Sequence, residues 1–215
     1  MVQRLVLWLA LVDGALHLRP AAFAAVPVAA AGLGPGLLTA LLAGFSQALG
    51  QAFILFVNRV RPLRFGLSLL VEALLFWFGF LVWGLSTWVA LRLLGVLLPP
   101  VQLLEALGLA HAPQLFALLG GLPYLGSPLL SLLSLWTAMA FVAGVVAVTG
   151  LAPWAAFASL ALGWLLMHAL QRTAGQPLVA LGRRWLERVA GVPLVHDRRR
   201  LAQLLREGEA PRGLR

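Results

Sequence analysis

The chain has no cysteine, no lysine and only 7 acidic residues in 215 positions. Without cysteine there is no disulfide, no thiolate nucleophile and no cysteine metal site. The four histidines, His17, His111, His168 and His196, lie far apart in sequence, so a histidine metal centre is not expected. Charge is scarce overall: 11% of residues are charged against 61% hydrophobic. A water-facing globule does not carry that balance, because too little polar surface would remain. The bilayer is the solvent this composition fits. Between Arg64 and Arg172 the formal charges are Glu72, Arg92 and Glu105 alone, so the positive charge flanks the apolar part of the chain. A pI near 11.9 would otherwise raise nucleic-acid binding, but no basic soluble domain with a reading element accompanies it, and no nucleic-acid partner is expected. Exclusive use of arginine beside abundant Ala, Gly, Leu and Pro reads as base composition of the genome, not as arginine chemistry.

Motifs of membrane enzymes are missing too. There is no His-Glu-x-x-His helix, no Gly-x-Ser-x-Gly turn, no phosphate loop and no pair of intramembrane aspartates. Ser127, Ser131 and Ser134 have no adjacent base to activate them. The expectation is a protein that is not an enzyme, with no catalytic residue, no cofactor and no metal.

What is present is a series of long apolar runs. Crossing the hydrocarbon layer takes roughly 20 apolar residues in a helix, at about 1.5 Å per residue through about 30 Å of lipid tails. Runs at 35–57, 67–91, 127–149 and 153–171 meet that length. A fifth, 104–122, is interrupted by Pro113 and Gly120-Gly121, which predicts a kinked helix whose freed carbonyls must find partners inside the bundle. The connections are short and rich in turn formers: 58–65, 98–100, 122–126 and 150–153. The predicted fold class is an all-α integral membrane protein, a bundle of about five transmembrane helices. Its domains are an interfacial amphipathic segment over 1–22, a five-helix transmembrane domain over 23–172 and a basic amphipathic tail over 173–215.

The opening segment places Leu5, Trp8, Leu9, Val12, Ala15 and Leu16 at helical spacing, broken by Arg4, Asp13, His17 and Arg19. An interfacial helix fits better than a cleavable signal, although Ala22-Phe23-Ala24 resembles a cleavage site. In the tail, Leu178, Leu181, Trp185 and Val189 mark one face while Arg183, Arg184 and Arg188 crowd the other. Asp197 is a plausible N-cap for a second short helix bearing Arg198, Arg199 and Arg200. Arg59, Arg61 and Arg64 fall in the first loop and ten arginines from Arg172 onward in the tail. Five spans put both regions on one side, which the charge bias makes cytoplasmic. These arginines are the candidate contacts to anionic lipid headgroups.

The first span repeats small residues every four positions: Gly32, Gly36, Ala40, Gly44, Ala48 and Ala52. In lipid, close backbone approach along such a face is a main source of packing energy, so the stripe is a helix-packing or partner-binding surface for a membrane protein or a second copy. Gln47, Gln51 and Asn58 fall within roughly 40° of one another on a helix at about 100° per residue, overlapping that stripe. They either bond across helices or line a polar path. Glu72 lies about a turn and a half inside the second span, by default a functional candidate, with Arg64 within reach as a structural partner. His111, beside Pro113 and Gln114, is the other candidate intramembrane polar site. The eight tryptophans suit interface anchors and helix packing.

From Phe23 to about Val148 the chain resembles the Yip (Ypt-interacting protein) family, in its uncharacterised bacterial branch. The residues that carry the resemblance are Arg19-Pro20-Ala21-Ala22-Phe23 ahead of the first span and the basic loop Asn58-Arg59-Val60-Arg61-Pro62-Leu63-Arg64-Phe65 after it. With them go Leu107-Gly108-Leu109-Ala110-His111-Ala112-Pro113-Gln114-Leu115, the turn Leu122-Pro123-Tyr124-Leu125-Gly126, and Leu135-Trp136. The resemblance implies a five-span bundle, a role in membrane organisation and no enzymatic activity. Eukaryotic relatives bind small GTPases through a loop motif with Asp and Tyr; here no Asp occurs between Asp13 and Asp197, so GTPase binding does not carry over. The expected function is noncatalytic assembly of membrane partners; the alternative is a small-solute channel or carrier past Gln47, Gln51, Asn58 and Glu72.

Overall fold

The computed structural model describes residues 2–26, 34–56, 62–122, 124–170 and 172. Among them every regular element is a helix: α1 (Val2–Leu16), α2 (Pro20–Ala24), α3 (Pro35–Phe56), α4 (Pro62–Leu93), α5 (Pro100–Leu109), a 3₁₀ helix (Ala112–Gly121), α6 (Gly126–Thr149) and α7 (Pro153–Leu170). Prolines punctuate the chain. Pro20, Pro35, Pro62, Pro100 and Pro153 each open a helix, where the missing N–H has no partner to lose and the fixed φ is already helical. Two glycines in the left-handed region follow the ends of the long helices, Gly95 (φ 83°) after α4 and Gly150 (φ 70°) after α6.

Among the described residues three helices are long and apolar enough to cross a membrane: Leu69–Leu93 of α4, α6 and α7. The bent pair α5 and 3₁₀ helix makes a fourth if it is counted as one span. Over the described residues the protein is thus all-helical and suited to the bilayer, with three to four candidate spans. The kink predicted for 104–122 is a bend of 44°. Its position follows from Pro113, whose ring excludes the carbonyl four residues back, that of Leu109, where α5 stops. The tighter 3₁₀ path then carries the chain to Gly121.

The core has two centres. One gathers Leu91, Leu103, Leu107, Val145, Ala156 and Leu160 from α4, α5, α6 and α7, with Leu98 from the connection between α4 and α5. The other seats Leu11, Val12, Ala15 and Phe23 against Leu109, Ala110, Ala112 and Ala140. α1 is therefore docked on the bundle, with Leu11 and Val12 inside and Leu5 and Leu9 exposed. Small residues bring the spans close. A Cβ on Gly163 would collide with the backbone of Thr87, joining α7 to α4, and one on Gly50 would collide with the backbone of Ala117 and Leu118.

Candidate functional site: a buried carboxylate at a broken helix

From Gly36 to Ala48 the stripe on α3 is filled by the chain's own helices, while Gly32 and the side chain of Ala52 lie outside the described residues. Ala40 and Ala48 are fully buried, and a Cβ on Gly44 would press on Phe76 and on the carbonyl of Ala73 of α4. Gly36 meets Gly108 of α5 backbone to backbone, leaving no room for a Cβ on either. Gln47 is half-buried on α3. The side chains of Gln51 and Arg64, with all of Asn58, Arg59, Arg61, Arg183, Arg184, Arg188, Arg198, Arg199 and Arg200, lie outside the described residues. Glu72 is half-buried on α4. Among the described residues the ion pairs are those of Asp13 with His17 and Arg19.

The most deeply placed charge is one that sequence reasoning counted but did not single out. Glu105, on α5, is 1% exposed. Its Oε2 accepts the backbone N–H of Gly36 at 2.7 Å and that of Leu37 at 3.3 Å. These are the orphan donors that the start of α3 requires someone to satisfy. Pro35 has no N–H, Leu38 N donates to Gly34 O at 2.9 Å, and the two groups between them go to Glu105. A residue 69 positions away thus does the work an N-cap side chain does locally. The carboxylate also faces the positive end of the α3 dipole. Glycine is needed for the approach: a Cβ on Gly34 would overlap the carboxylate, and one on Gly36 would overlap the Glu105 backbone carbonyl. The available signal was the Gly34-Pro35-Gly36 run, a helix start with no side-chain cap, set against a lone acid in an otherwise apolar segment.

Around the break the other polar groups are engaged as well. His111 is buried, with Nδ1 3.0 Å from the Leu107 carbonyl oxygen. Its ring meets Phe76, Phe80 and Phe141 edge to face at 5.0 to 5.5 Å. Ser46 of α3 donates its hydroxyl to Leu115 O at 2.7 Å and accepts Leu118 N at 2.9 Å, so the irregular 3₁₀ backbone is satisfied from the neighbouring helix, as burial in an apolar medium requires. Thr39 donates to Pro35 O at 2.7 Å and accepts the indole N–H of Trp8 at 3.0 Å, which ties α1 to α3. Trp136 of α6 ties the other end of α1, donating to Leu16 O at 3.0 Å. The indole nitrogens of Trp77 and Trp83 and the Nδ1 of His168 are buried with no hydrogen-bond partner among the described residues. The His168 ring lies against Trp164 at 4.2 Å.

Chemically, this arrangement is a clamp: a carboxylate on a helix N-terminus, a hydroxyl on a broken backbone and an imidazole in a phenylalanine cage. Among the described residues no group of three or more His, Asp or Glu is placed to hold a metal ion. Comparison with protein-family models, with curated proteins and with solved structures finds no match to this chain.

Proposed function

We propose that this chain is a noncatalytic multi-pass membrane protein that organises or assembles other membrane components. The observation that carries the reading is the use of Glu105. The one fully buried carboxylate among the described residues is committed to holding α3 against α5, which suits a rigid platform better than a site of turnover. In this reading α3 and the bent α5–3₁₀ pair are spans alongside α4, α6 and α7, giving five. The first loop and the tail then share the cytoplasmic side, where their arginines meet anionic headgroups at about 1 kcal/mol each. The Yip-like arrangement belongs to the same proposal. Because the chain has no cysteine, single Cys at Arg61, Ser127 and Ala210 report sidedness without background. Labelling of 61 and 210 from opposite faces defeats the five-span arrangement.

The function is tested by copurification from native membrane with a C-terminal tag. A stoichiometric companion, or a stable assembly of the chain itself, is expected. A monodisperse single chain with no companion overturns the reading.

One observation favours a second reading, a small-solute channel or carrier: helices broken at mid-span are where many transporters build their sites, and α5 with the 3₁₀ helix is such a break. The path would run past Gln47, Gln51, Asn58 and Glu72. Flux into liposomes that is abolished by Glu72→Gln, with folding intact, would establish it; flux indifferent to that change would dismiss it.

A further inference from the structure

The passage from α4 into α5 is made of the wrong residues for water. From Leu93 the chain runs Leu-Leu-Gly-Val-Leu-Leu-Pro into α5, with no polar side chain, whereas a turn in water draws on Asn, Asp and Ser as well as Gly and Pro. Leu93, Leu94 and Leu97 are 74%, 56% and 81% exposed. The backbone, by contrast, is engaged within the chain: Leu94, Gly95 and Val96 donate to carbonyls in the last turn of α4, and the Trp88 indole donates to Leu98 O at 2.8 Å. What this turn presents to its surroundings is leucine.

One charge stands beside these leucines. Arg92 is exposed in the last turn of α4, with its guanidinium 5.7 Å from the centre of the Trp88 ring, and it has no acidic partner among the described residues. Trp154, 76% exposed, belongs to the same end of the bundle, because Leu151 and Ala156 on either side of it in sequence share a packed cluster with Leu91 and Leu98. The apolar stretch Leu69–Leu93 is 25 residues long, about 37 Å at 1.5 Å per residue, against about 30 Å of lipid tails. A helix of that length has its last turn where acyl chains meet headgroups. Leucines, indoles and a guanidinium at one level suit that boundary.

We propose that this end of the bundle seats an anionic phospholipid, its phosphate on Arg92 and its acyl chains against Leu93, Leu94 and Leu97. Charge and apolar surface together argue for this occupant. Water would leave three leucines bare, and a protein partner would have to bring an acid over Arg92 within an apolar surround. A phospholipid carries both in one molecule, a negative phosphate directly above its acyl chains. α4 opens just after Arg59 and Arg61 in sequence and closes on Arg92, so a spanning α4 places this lipid in the leaflet opposite the one assigned to the loop arginines. The inference needs α4 to span; it stands whether or not the chain assembles partners.

The test uses the full chain with Leu97→Cys, carrying a nitrobenzoxadiazole dye, in phosphatidylcholine liposomes that hold a minor share of nitroxide-bearing lipid. The nitroxide is placed high on the acyl chain of either phosphatidylglycerol or phosphatidylcholine. Because the chain has no cysteine of its own, the dye reports this turn alone. Quenching by the lipid nitroxides is expected to exceed quenching by iodide in the water. It should be stronger with phosphatidylglycerol than with phosphatidylcholine by roughly two- to fivefold, the preference one arginine gives for an anionic lipid. That preference should vanish in Arg92→Gln and persist in Arg92→Lys. Iodide quenching that exceeds lipid quenching puts the turn in water and overturns the proposal, as does protection from both quenchers, which means that protein covers it. Equal quenching by the two lipids, or a preference unchanged in Arg92→Gln, overturns the phosphate contact. All variants are first checked for unchanged tryptophan emission, and Leu93→Cys supplies a second dye position in case Leu97→Cys misfolds.

Discussion

Glu105→Ala removes the acceptor from two buried backbone donors and a negative charge from the α3 N-terminus. Hydrogen bonds to a charged group contribute about 1.5–3 kcal/mol each, and the interaction of a partly buried charge with a helix end adds up to about 2 kcal/mol. The bonds at 2.7 and 3.3 Å are unequal, so a loss of about 3–6 kcal/mol is expected, nearer the lower value if water enters the vacated site. Glu105→Gln keeps a carbonyl oxygen facing Gly36 and Leu37 and gives up the charge; its cost should be about 1–3 kcal/mol, reflecting neutral bonds in place of charged ones. Equilibrium unfolding in mixed micelles, followed by tryptophan emission, measures both. An ordinary interhelical hydrogen bond in a membrane protein averages about 0.6 kcal/mol. A Glu105→Ala loss of that size or less would refute the claim that this carboxylate caps α3. So would a Gln variant as unstable as the Ala variant, since the retained oxygen would then count for nothing.

The remaining expectations concern packing and the broken span. Gly36→Ala places a methyl group on the Glu105 carbonyl and should destabilise by about 1–3 kcal/mol, whereas Gly79→Ala, with open space around it, should be neutral or stabilising by up to about 1 kcal/mol; the same unfolding assay separates them. Ser46→Ala strips a donor and an acceptor from the 3₁₀ helix and should cost about 1–2 kcal/mol, with faster amide exchange at Leu118 as the local sign. Trp136→Phe removes the bond to Leu16 and should raise amide exchange in the C-terminal half of α1 while leaving α4 and α7 protected; uniform deprotection would mean that α1 is not separately tied.

Much of the fold was legible from local signals. A composition this apolar names its solvent, and prolines that open helices and glycines that follow them mark boundaries within a few residues. Runs read at 67–91, 127–149 and 153–171 correspond to α4, α6 and α7, and the break at Pro113 stops α5 where its ring meets the preceding turn. The small-residue period on α3 reads as a packing or partner-binding face; Gly36, Ala40, Gly44 and Ala48 pack within the chain, because backbone approach depends on what is missing from the side chain.

What the tertiary structure alone decided is who meets whom. No spacing rule joins Glu105 to Gly36 across 69 positions or Trp136 to Leu16 across 120. A lone acid reads the same whether it faces lipid, water or a helix terminus, so Glu72 drew attention that Glu105 had equal title to. The α3 stripe was open to any neighbour until α4, α5 and the 3₁₀ helix filled it. α1 shows the limit most clearly: its periodicity told of an amphipathic helix, while its seat on the bundle was set by two indole hydrogen bonds between residues 31 and 120 positions apart. Sequence patterns fix what a segment must bury; the choice of the surface that buries it belongs to the folded chain.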